Sequence, residues 1–272
     1  MVNGGNEKPS EGNASMPVMN YLTACIFDHG ALKQLPKTLK GLGGSRPFIV
    51  TDPGIKAAGL LDQVTGALEA EPAGIFAETE PNPTERQARE ATQAYRESGA
   101  DSLIALGGGS SMDMAKIVGL MATHEGPWEQ YGALKGGARK IGKIPALVAI
   151  PTTAGTGSEV SVGAVVILDN GTKETIVSPN LIPATAICDP DLTLGLPAGL
   201  TAATGMDAVT HCIESVLSPN VNPPAEGIGY DGVHRAVGNG WLKRAVADGS
   251  DPEARWNTML ASYEGALAFV KG

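Results

Sequence analysis

Two side chains in the segment GMDAVTHCIES could together hold a metal ion. Asp207 and His211 are four residues apart, so a helix places both on one face, and Glu214 falls on that face as well. A carboxylate and an imidazole at this spacing can both coordinate one metal ion, and they can equally form an ordinary hydrogen-bonded pair. The apolar neighbours predict that this helix is buried; they are Met206, Val209, Ile213 and Val216.

Three consecutive glycines in LIALGGGSSMDMAK could cradle a phosphate group. They join a predicted strand at 102–106 directly to a predicted helix, whose free N–H groups and positive dipole end attract anions. Ser110 and Asp113 fit a capping box at the start of that helix, and Asp113 could instead contact a ligand. The run matches neither the GxGxxG fingerprint nor the P-loop, so by itself it is a weak signal.

A second loop, PTTAGTGSEV, also follows a predicted buried strand and is rich in hydroxyl groups from Thr152, Thr153 and Thr156. Asp52 ends another strand in FIVTD, where a carboxylate can bind a ribose hydroxyl or cap the helix that follows. Open α/β sheets hold their ligands at the carboxyl ends of their strands. We therefore expect these loops to meet at one ligand site.

The elements that must position these residues alternate along the chain. The sequence predicts a strand in RPFIVTD, a helix over 55–70, a strand over 73–76, a helix in PTERQAREATQAYRESG that stops at Gly99, strands in DSLIAL and PALVAI around a helix over 110–121, a hairpin in VSVGAVVILDNGTKETIVS, and helices after Pro197. This order predicts an α/β fold with an N-terminal doubly wound parallel-sheet nucleotide-binding domain, followed by an all-α, incomplete domain. We expect a disordered tail at 1–17, an α/β domain at 18–190 and a helical metal and substrate domain at 191–272.

Composition narrows the class of partner. The 272 residues carry a formal charge of −9, which argues against nucleic acid or an anionic membrane and favours a small-molecule ligand. Cys25, Cys188 and Cys212 are widely spaced and form no CxxC pair, so neither a disulfide framework nor a structural zinc site is indicated. With no signal peptide or membrane span apparent, we expect a cytoplasmic protein.

Four motifs in order resemble the iron-containing alcohol dehydrogenase family: the strand-end TD, GGGSSMDMAK, IPTTAGTGSEV and ICDPDLTLGLPAGLTAATGMDAVTHCIES. The resemblance implies an NAD-dependent dehydrogenase that interconverts an alcohol and an aldehyde or ketone. It implies a divalent metal, Fe²⁺ or alternatively Zn²⁺, in the cleft between the domains. Acting as a Lewis acid, such a metal lowers the pKa of the alcohol and stabilises the alkoxide from which hydride leaves.

The resemblance also assigns roles to single residues. Asp207 and His211 match two metal ligands, and through the metal they would be catalytic. Asp52 matches the acid that binds ribose and favours NAD over NADP. The remaining matches to the nucleotide site are Gly108, Gly109, Ser110, Asp113, Thr152, Thr153, Thr156, Lys173 and Leu192. A small alcohol or aldehyde is the implied partner, and a homodimer through the strand near 19–28 is the implied assembly.

One departure from the family pattern is expected to matter. The family takes its third and fourth metal ligands from histidines that follow the segment AFVKG, so we expect this chain to be a fragment that binds nucleotide better than it turns over substrate. His29 and His124 are expected in loops, and His234 is a weak candidate for a further ligand. Two alternatives stay open: a nucleotide-binding module without turnover, and a metal-dependent lyase of the dehydroquinate synthase type.

Overall fold

The computed structural model describes residues 18–20 and 23–269, with side chains from residue 23 onward. The tail predicted at 1–17 lies outside the described residues. The strands are β1 Val18–Asn20, β2 Ala24–Phe27, β3 Pro47–Val50, β4 Gly74–Phe76, β5 Ser102–Gly107, β6 Ala146–Pro151, β7 Gly163–Ile167, β8 Lys173–Val177 and β9 Thr185–Cys188. The α-helices are α1 Leu35–Gly41, α2 Pro53–Ala57, α3 Leu60–Gly66, α4 Glu85–Ser98, α5 Gly109–Thr123, α6 Ala198–Leu217, α7 Pro223–Val233, α8 Trp241–Ala247 and α9 Pro252–Ala268.

Seven strands form one sheet in the order β1-β2-β9-β6-β5-β3-β4, and β7 and β8 form a separate antiparallel hairpin. Among the strands that the structure describes in the large sheet, β1 runs antiparallel to β2 and the other pairings are parallel. The predicted α/β class and the predicted hairpin are therefore confirmed. Because parallel strands end at the same edge, the loops after β3, β5 and β6 come together there.

Helices cover both faces of the sheet, as the continuous apolar runs of its strands require. In β3, Phe48 and Val50 pack in the core that contains α4 and α5, whereas Ile49 packs in the core that contains α1 and α3. The alternation follows from the two-residue period of a strand. This two-sided covering confirms the predicted doubly wound arrangement.

Glycines in the left-handed region explain where two helices begin or end. The single helix predicted over 55–70 is wrong, because Gly59, at φ 74°, separates α2 from α3. Gly99, at φ 62°, ends α4 as predicted.

Most of the segment 198–269 is helical, as the sequence predicts, and α9 packs directly on the sheet. The Phe27 ring on β2 meets the ring of Trp256 at a centroid separation of 5.2 Å and that of Tyr263 at 6.5 Å. The boundary near Pro190 stays a prediction. Across the described part of the chain, no helix has the length and apolar character needed to cross a membrane.

The prediction that α6 is a buried helix is wrong for half of its surface. Met206 and Ile213 are 52% and 42% exposed, and Glu214 is exposed as well. The buried face instead carries small side chains, which allow close approach of other helices; its members are Thr201, Gly205, Ala208, Val209, Cys212 and Ser215. Residue type alone does not show which face of a helix with apolar residues on several sides finds a partner.

Candidate functional site

A cleft of about 660 Å³ opens at the carboxyl ends of β3, β5 and β6. We call it the first cleft. Its walls bring together seven of the ten residues predicted to bind the nucleotide: Asp52, Gly108, Gly109, Ser110, Thr152, Thr153 and Leu192. The lining is mostly apolar apart from these convergent polar groups, which is the usual character of a small-molecule site.

Asp52 has a structural role at the mouth of the first cleft. Its Oδ1 accepts a hydrogen bond from the Ile55 N–H at 3.0 Å, and its Oδ2 accepts one from Ser111 Oγ at 2.9 Å. The helix cap predicted as one of two possibilities is thus confirmed. Since a carboxylate oxygen accepts more than one hydrogen bond, the cap leaves Asp52 able to bind a ligand hydroxyl as well.

The glycine turn leaves the start of α5 open. Gly108 is the N-cap residue and supplies no side-chain hydrogen bond, so the predicted capping box of Ser110 and Asp113 is wrong. A Cβ atom on Gly109 would lie 2.9 Å from the side chain of Thr156, and Gly107 has φ 141°, which favours glycine. The turn therefore brings backbone N–H groups and an uncapped helix N-terminus to the edge of the sheet at which the parallel strands end. This arrangement suits the binding of an anion.

A second cleft of about 350 Å³ adjoins the first across this turn, and we call it the second cleft. Gly109 and Ser110 line both clefts, and the second adds the other three predicted residues, Asp113, Thr156 and Lys173. All ten residues predicted for the nucleotide site thus line two adjacent clefts that share Gly109 and Ser110.

Asp113 braces the second cleft. Its Oδ1 accepts from Ser158 Oγ at 2.7 Å and its Oδ2 accepts from the Val165 N–H at 3.0 Å, which joins α5 to the hairpin strand β7. Burial raises the pKa of the Asp113 carboxyl, and nearby Lys116 opposes that rise. Lys173 is more loosely held, with its Nζ 3.3 Å from Asn82 Oδ1.

Lys116 contacts three residues that line the second cleft, although no role was predicted for it from the sequence. Its side chain is fully buried, and burial lowers the pKa of its ammonium to about 8. Glu159, also buried, has its carboxyl pKa raised to about 7 by the same loss of solvent. The available signal was a lone lysine inside the apolar run MAKIVGLM, since a buried lysine needs partners.

The two predicted metal ligands lie side by side on α6. His211 Nε2 is 3.5 Å from Asp207 Oδ1. Two donors bound at about 2.1 Å to one tetrahedral ion would stand roughly 3.4 Å apart, so this pair fits the bite of a divalent metal. His211 Nδ1 is buried and finds no hydrogen-bond partner among the described residues, and the Phe269 ring meets the imidazole edge-on, with the ring centroids 4.3 Å apart.

The described residues do not complete this metal site. Within 18–20 and 23–269, no group of three or more His, Cys, Asp or Glu side chains is placed to hold an ion. His29 pairs with Asp191 at 2.7 Å, His124 accepts from the Gly142 N–H, and His234 borders a separate apolar groove of about 480 Å³ on the helical surface. Catalytic divalent metals usually have three protein ligands, so the two donors Asp207 and His211 alone do not supply a complete ligand set.

Comparison with known proteins identifies relatives along nearly the whole chain. Residues 23–190 match the family model described as iron-containing alcohol dehydrogenase, and residues 201–271 match the model for the C-terminal part of the same family. A 4-hydroxybutyrate dehydrogenase from Cupriavidus necator is 50% identical over 258 residues, covering 94% of this chain and 67% of that protein. A choline dehydrogenase from Bacillus subtilis is 39% identical over 245 residues, covering 88% of this chain and 60% of that protein.

A solved structure shows the same architecture. The sulfoacetaldehyde reductase from Bifidobacterium kashiwanohense in complex with NAD⁺ superposes with a TM-score of 0.85 at 28% identity, covering 92% of this chain and 65% of that one. The chain therefore spans between three fifths and about two thirds of the length of these relatives.

Proposed function

The chain belongs to the iron-containing alcohol dehydrogenase family, and from that premise we propose that it is an NAD-dependent oxidoreductase that interconverts an alcohol and an aldehyde or ketone by hydride transfer. One observation carries the proposal: the ten residues expected to bind the dinucleotide line two clefts that meet at the glycine turn.

We propose that NAD lies across both clefts. Its adenosine half occupies the larger first cleft, where the Asp52 carboxylate accepts hydrogen bonds from the ribose hydroxyls. Its diphosphate sits on Gly108, Gly109 and Ser110, where the open start of α5 attracts negative charge. Its nicotinamide half enters the second cleft, beside Asp113 and Lys173. The mainly apolar first cleft and the more polar second cleft support this orientation.

Iron and NAD are the cofactors of the family. We propose Asp207 and His211 as two of the ligands to the metal, which in the family supplies Lewis acidity to the alcohol oxygen. Because the described residues offer no third donor, we derive no catalytic step through the metal. The same observation favours a second candidate function, a nucleotide-binding module without turnover.

For the substrate we propose a small primary alcohol, with hydroxy acids first. The 50% identity to a 4-hydroxybutyrate dehydrogenase supports this order, since the choline dehydrogenase relative is 39% identical and a 1,3-propanediol dehydrogenase from Klebsiella pneumoniae is 36% identical. We further propose a cytoplasmic homodimer joined through the edge strand β1, with neither nucleic acid nor membrane as partner. The charge of −9 supports the last point.

The test combines binding with turnover on this chain. We expect a titration with NADH, monitored by energy transfer from tryptophan to the nicotinamide, to show saturable binding. Incubation with NAD⁺ and 4-hydroxybutyrate, 1,3-propanediol or choline, with and without added Fe²⁺, then separates the candidates. One NADH formed per aldehyde supports the dehydrogenase, and NADH binding with no turnover under any condition supports the module. Absence of NADH binding would refute both, and product formed without NADH would indicate the lyase alternative.

A further inference from the structure

The ammonium group of Lys116 lies directly behind the wall of the second cleft. Lys116 Nζ lies 3.1 Å from Ser158 Oγ, 3.0 Å from the Ser161 carbonyl oxygen, 3.2 Å from Ser161 Oγ and 2.7 Å from the Gly163 carbonyl oxygen. Ser158, Ser161 and Gly163 all line that cleft, whereas Lys116 itself is fully buried and does not. One side chain of α5 therefore holds three points of the 158–163 segment.

A buried ammonium is costly unless its charge and its hydrogen bonds are satisfied. Here Asp113 and Glu159 both act to raise the pKa of the ammonium against the effect of burial, and its hydrogens are donated to Ser158, Ser161 and Gly163. Ser158 Oγ in turn donates to Asp113 Oδ1 at 2.7 Å. Lys116, Ser158 and Asp113 thus form one network between α5 and the hairpin, and removal of the lysine would leave several acceptors unpaired.

We propose that Lys116 is a positioning residue that fixes the wall of the second cleft before the nicotinamide half of the dinucleotide binds. The inference rests on the proposed function, because it assigns the nicotinamide half to the second cleft. Lys116 would act on the second cleft alone, because none of the three residues that it contacts lines the first cleft. A ligand that reaches no further than the glycine turn, such as ADP, touches none of these three residues and should bind without the help of Lys116.

The experiment compares NADH and ADP on the full chain with the variant Lys116→Met, which keeps the length of the side chain and removes its donors. We expect the Kd for NADH to rise at least about tenfold, as small displacements of a binding wall commonly cost, while the Kd for ADP changes less than about twofold. Lys116→Gln, which retains a donor, should recover part of the loss. Equal losses for the two ligands, or no loss, would overturn the inference.

Thr92→Val is the matched control, because the buried Thr92 hydroxyl donates only to the Ala88 carbonyl oxygen within α4 and borders neither cleft. This variant should leave the ratio of the two Kd values unchanged. If the wild-type chain binds neither ligand, the proposed function itself has failed, which is distinct from an unchanged ratio in Lys116→Met.

A measurement on the wild-type protein covers the case in which the Lys116 variants do not fold. Amide hydrogen exchange over 158–163 should be slow in the ligand-free protein and should change little when NADH binds, because the wall is already fixed. Fast exchange that slows only with NADH would show that the ligand orders this wall, and it would contradict the role proposed for Lys116.

Discussion

At the scale of single residues, Asp52 combines two tasks that usually fall to separate groups. One carboxylate oxygen caps α2 through the Ile55 N–H, the other binds Ser111 on α5, and the group as a whole borders the first cleft. The cap fixes the direction of the carboxylate, so a ribose would meet an acceptor that is already oriented. A negative charge held there would also repel a 2′-phosphate.

Asp52→Ser removes the carboxylate from the first cleft but keeps the cap of α2, because serine caps helices about as well as aspartate. We expect the ratio of the Kd for NADPH to the Kd for NADH to fall at least about tenfold, since about 1.4 kcal/mol of charge repulsion is enough for that change. The free energy of unfolding should change by less than about 1 kcal/mol. Asp62→Ser, an exposed charge removed on α3, is the control, and an equal change in its ratio would rule out a specific role for Asp52.

The sequence predicted which residues line the site better than it predicted the hydrogen bonds that hold those residues in place. The ten residues predicted to bind the nucleotide do line adjoining clefts, because parallel strands must end at one edge. For Asp113 the sequence left a helix cap and a ligand contact open, and it did not predict that this side chain joins α5 to β7 at the second cleft. That bond links residues 52 positions apart, and Lys116 likewise binds residues more than 40 positions away. Such pairings are set by tertiary packing, which no local spacing reveals.

At the scale of elements, the threonine loop at 152–160 follows the sheet strand β6 and also contacts α9. Gly157 has φ 64°, and a Cβ atom placed there would overlap the Cβ of Ala266. The loop that borders both clefts therefore rests against a helix that lies much later in the sequence.

Gly157→Ala should destabilise the protein by roughly 2 kcal/mol or more, since it adds a steric clash to the cost of a left-handed alanine. Gly171→Ala isolates the backbone cost: Gly171 has φ 81° in the hairpin turn and open space around its Cα. We expect that control to lose only about 1 kcal/mol. Urea unfolding measures both, and equal losses would show that the contact with Ala266 carries no energy.

Elements with a strong period were predictable, and those with ambiguous faces were not. The sheet strands and α4 follow their sequence patterns closely, with Gly99 ending α4. The predicted helix over 55–70 is interrupted because Gly59 takes a left-handed conformation that the surrounding apolar residues do not signal. The exposure of Met206 and Ile213 on α6 depends on which helices pack against it, and that information lies elsewhere in the fold.

At the scale of the whole molecule, the sheet and the helices after 198 share a core. Cys25 and Phe27 of β2 belong to the same buried cluster as Met259 and Tyr263 of α9, and Trp256 Nε1 donates to Asp28 Oδ1 at 3.2 Å. Arg255, buried in α9, donates to the Leu196 carbonyl oxygen at 3.0 Å. The interface carries hydrogen bonds as well as apolar packing, so we expect both parts to unfold together.

The pH dependence of stability follows from buried carboxyl groups. Burial raises the pKa of Glu159 to about 7 and that of Glu264 to about 8, where Glu264 faces Asp231, Arg235 and Cys212. Between roughly pH 5 and pH 8 the folded protein keeps protons that the unfolded chain has released, so the free energy of unfolding falls as pH rises. Above that window the lowered pKa of the Lys116 ammonium acts in the opposite direction, because the unfolded chain then holds the extra proton.

Glu264→Gln should flatten this decline, because an amide stands in for the protonated carboxyl at every pH. We expect the variant to gain on the order of 1–3 kcal/mol over the wild type between pH 5.5 and pH 8. Urea unfolding at both pH values provides the measurement, with the exposed Glu71→Gln as the control. A slope identical to that of the wild type would mean that Glu264 is ionised in the folded protein.

The strand order also has a consequence for how the chain reaches its native state during synthesis. The parallel neighbour of β2 is β9. The free thiols of Cys25 on β2 and Cys188 on β9 are hydrogen-bonded, although these residues are 163 positions apart in the sequence. The first parallel strand therefore leaves the ribosome long before its neighbour exists, with one edge unpaired in the meantime. Contacts of such long range slow folding and expose strand edges to aggregation. We expect the β3-β5-β6 centre of the sheet to assemble first, and the N-terminal edge to join only after β9 has been made.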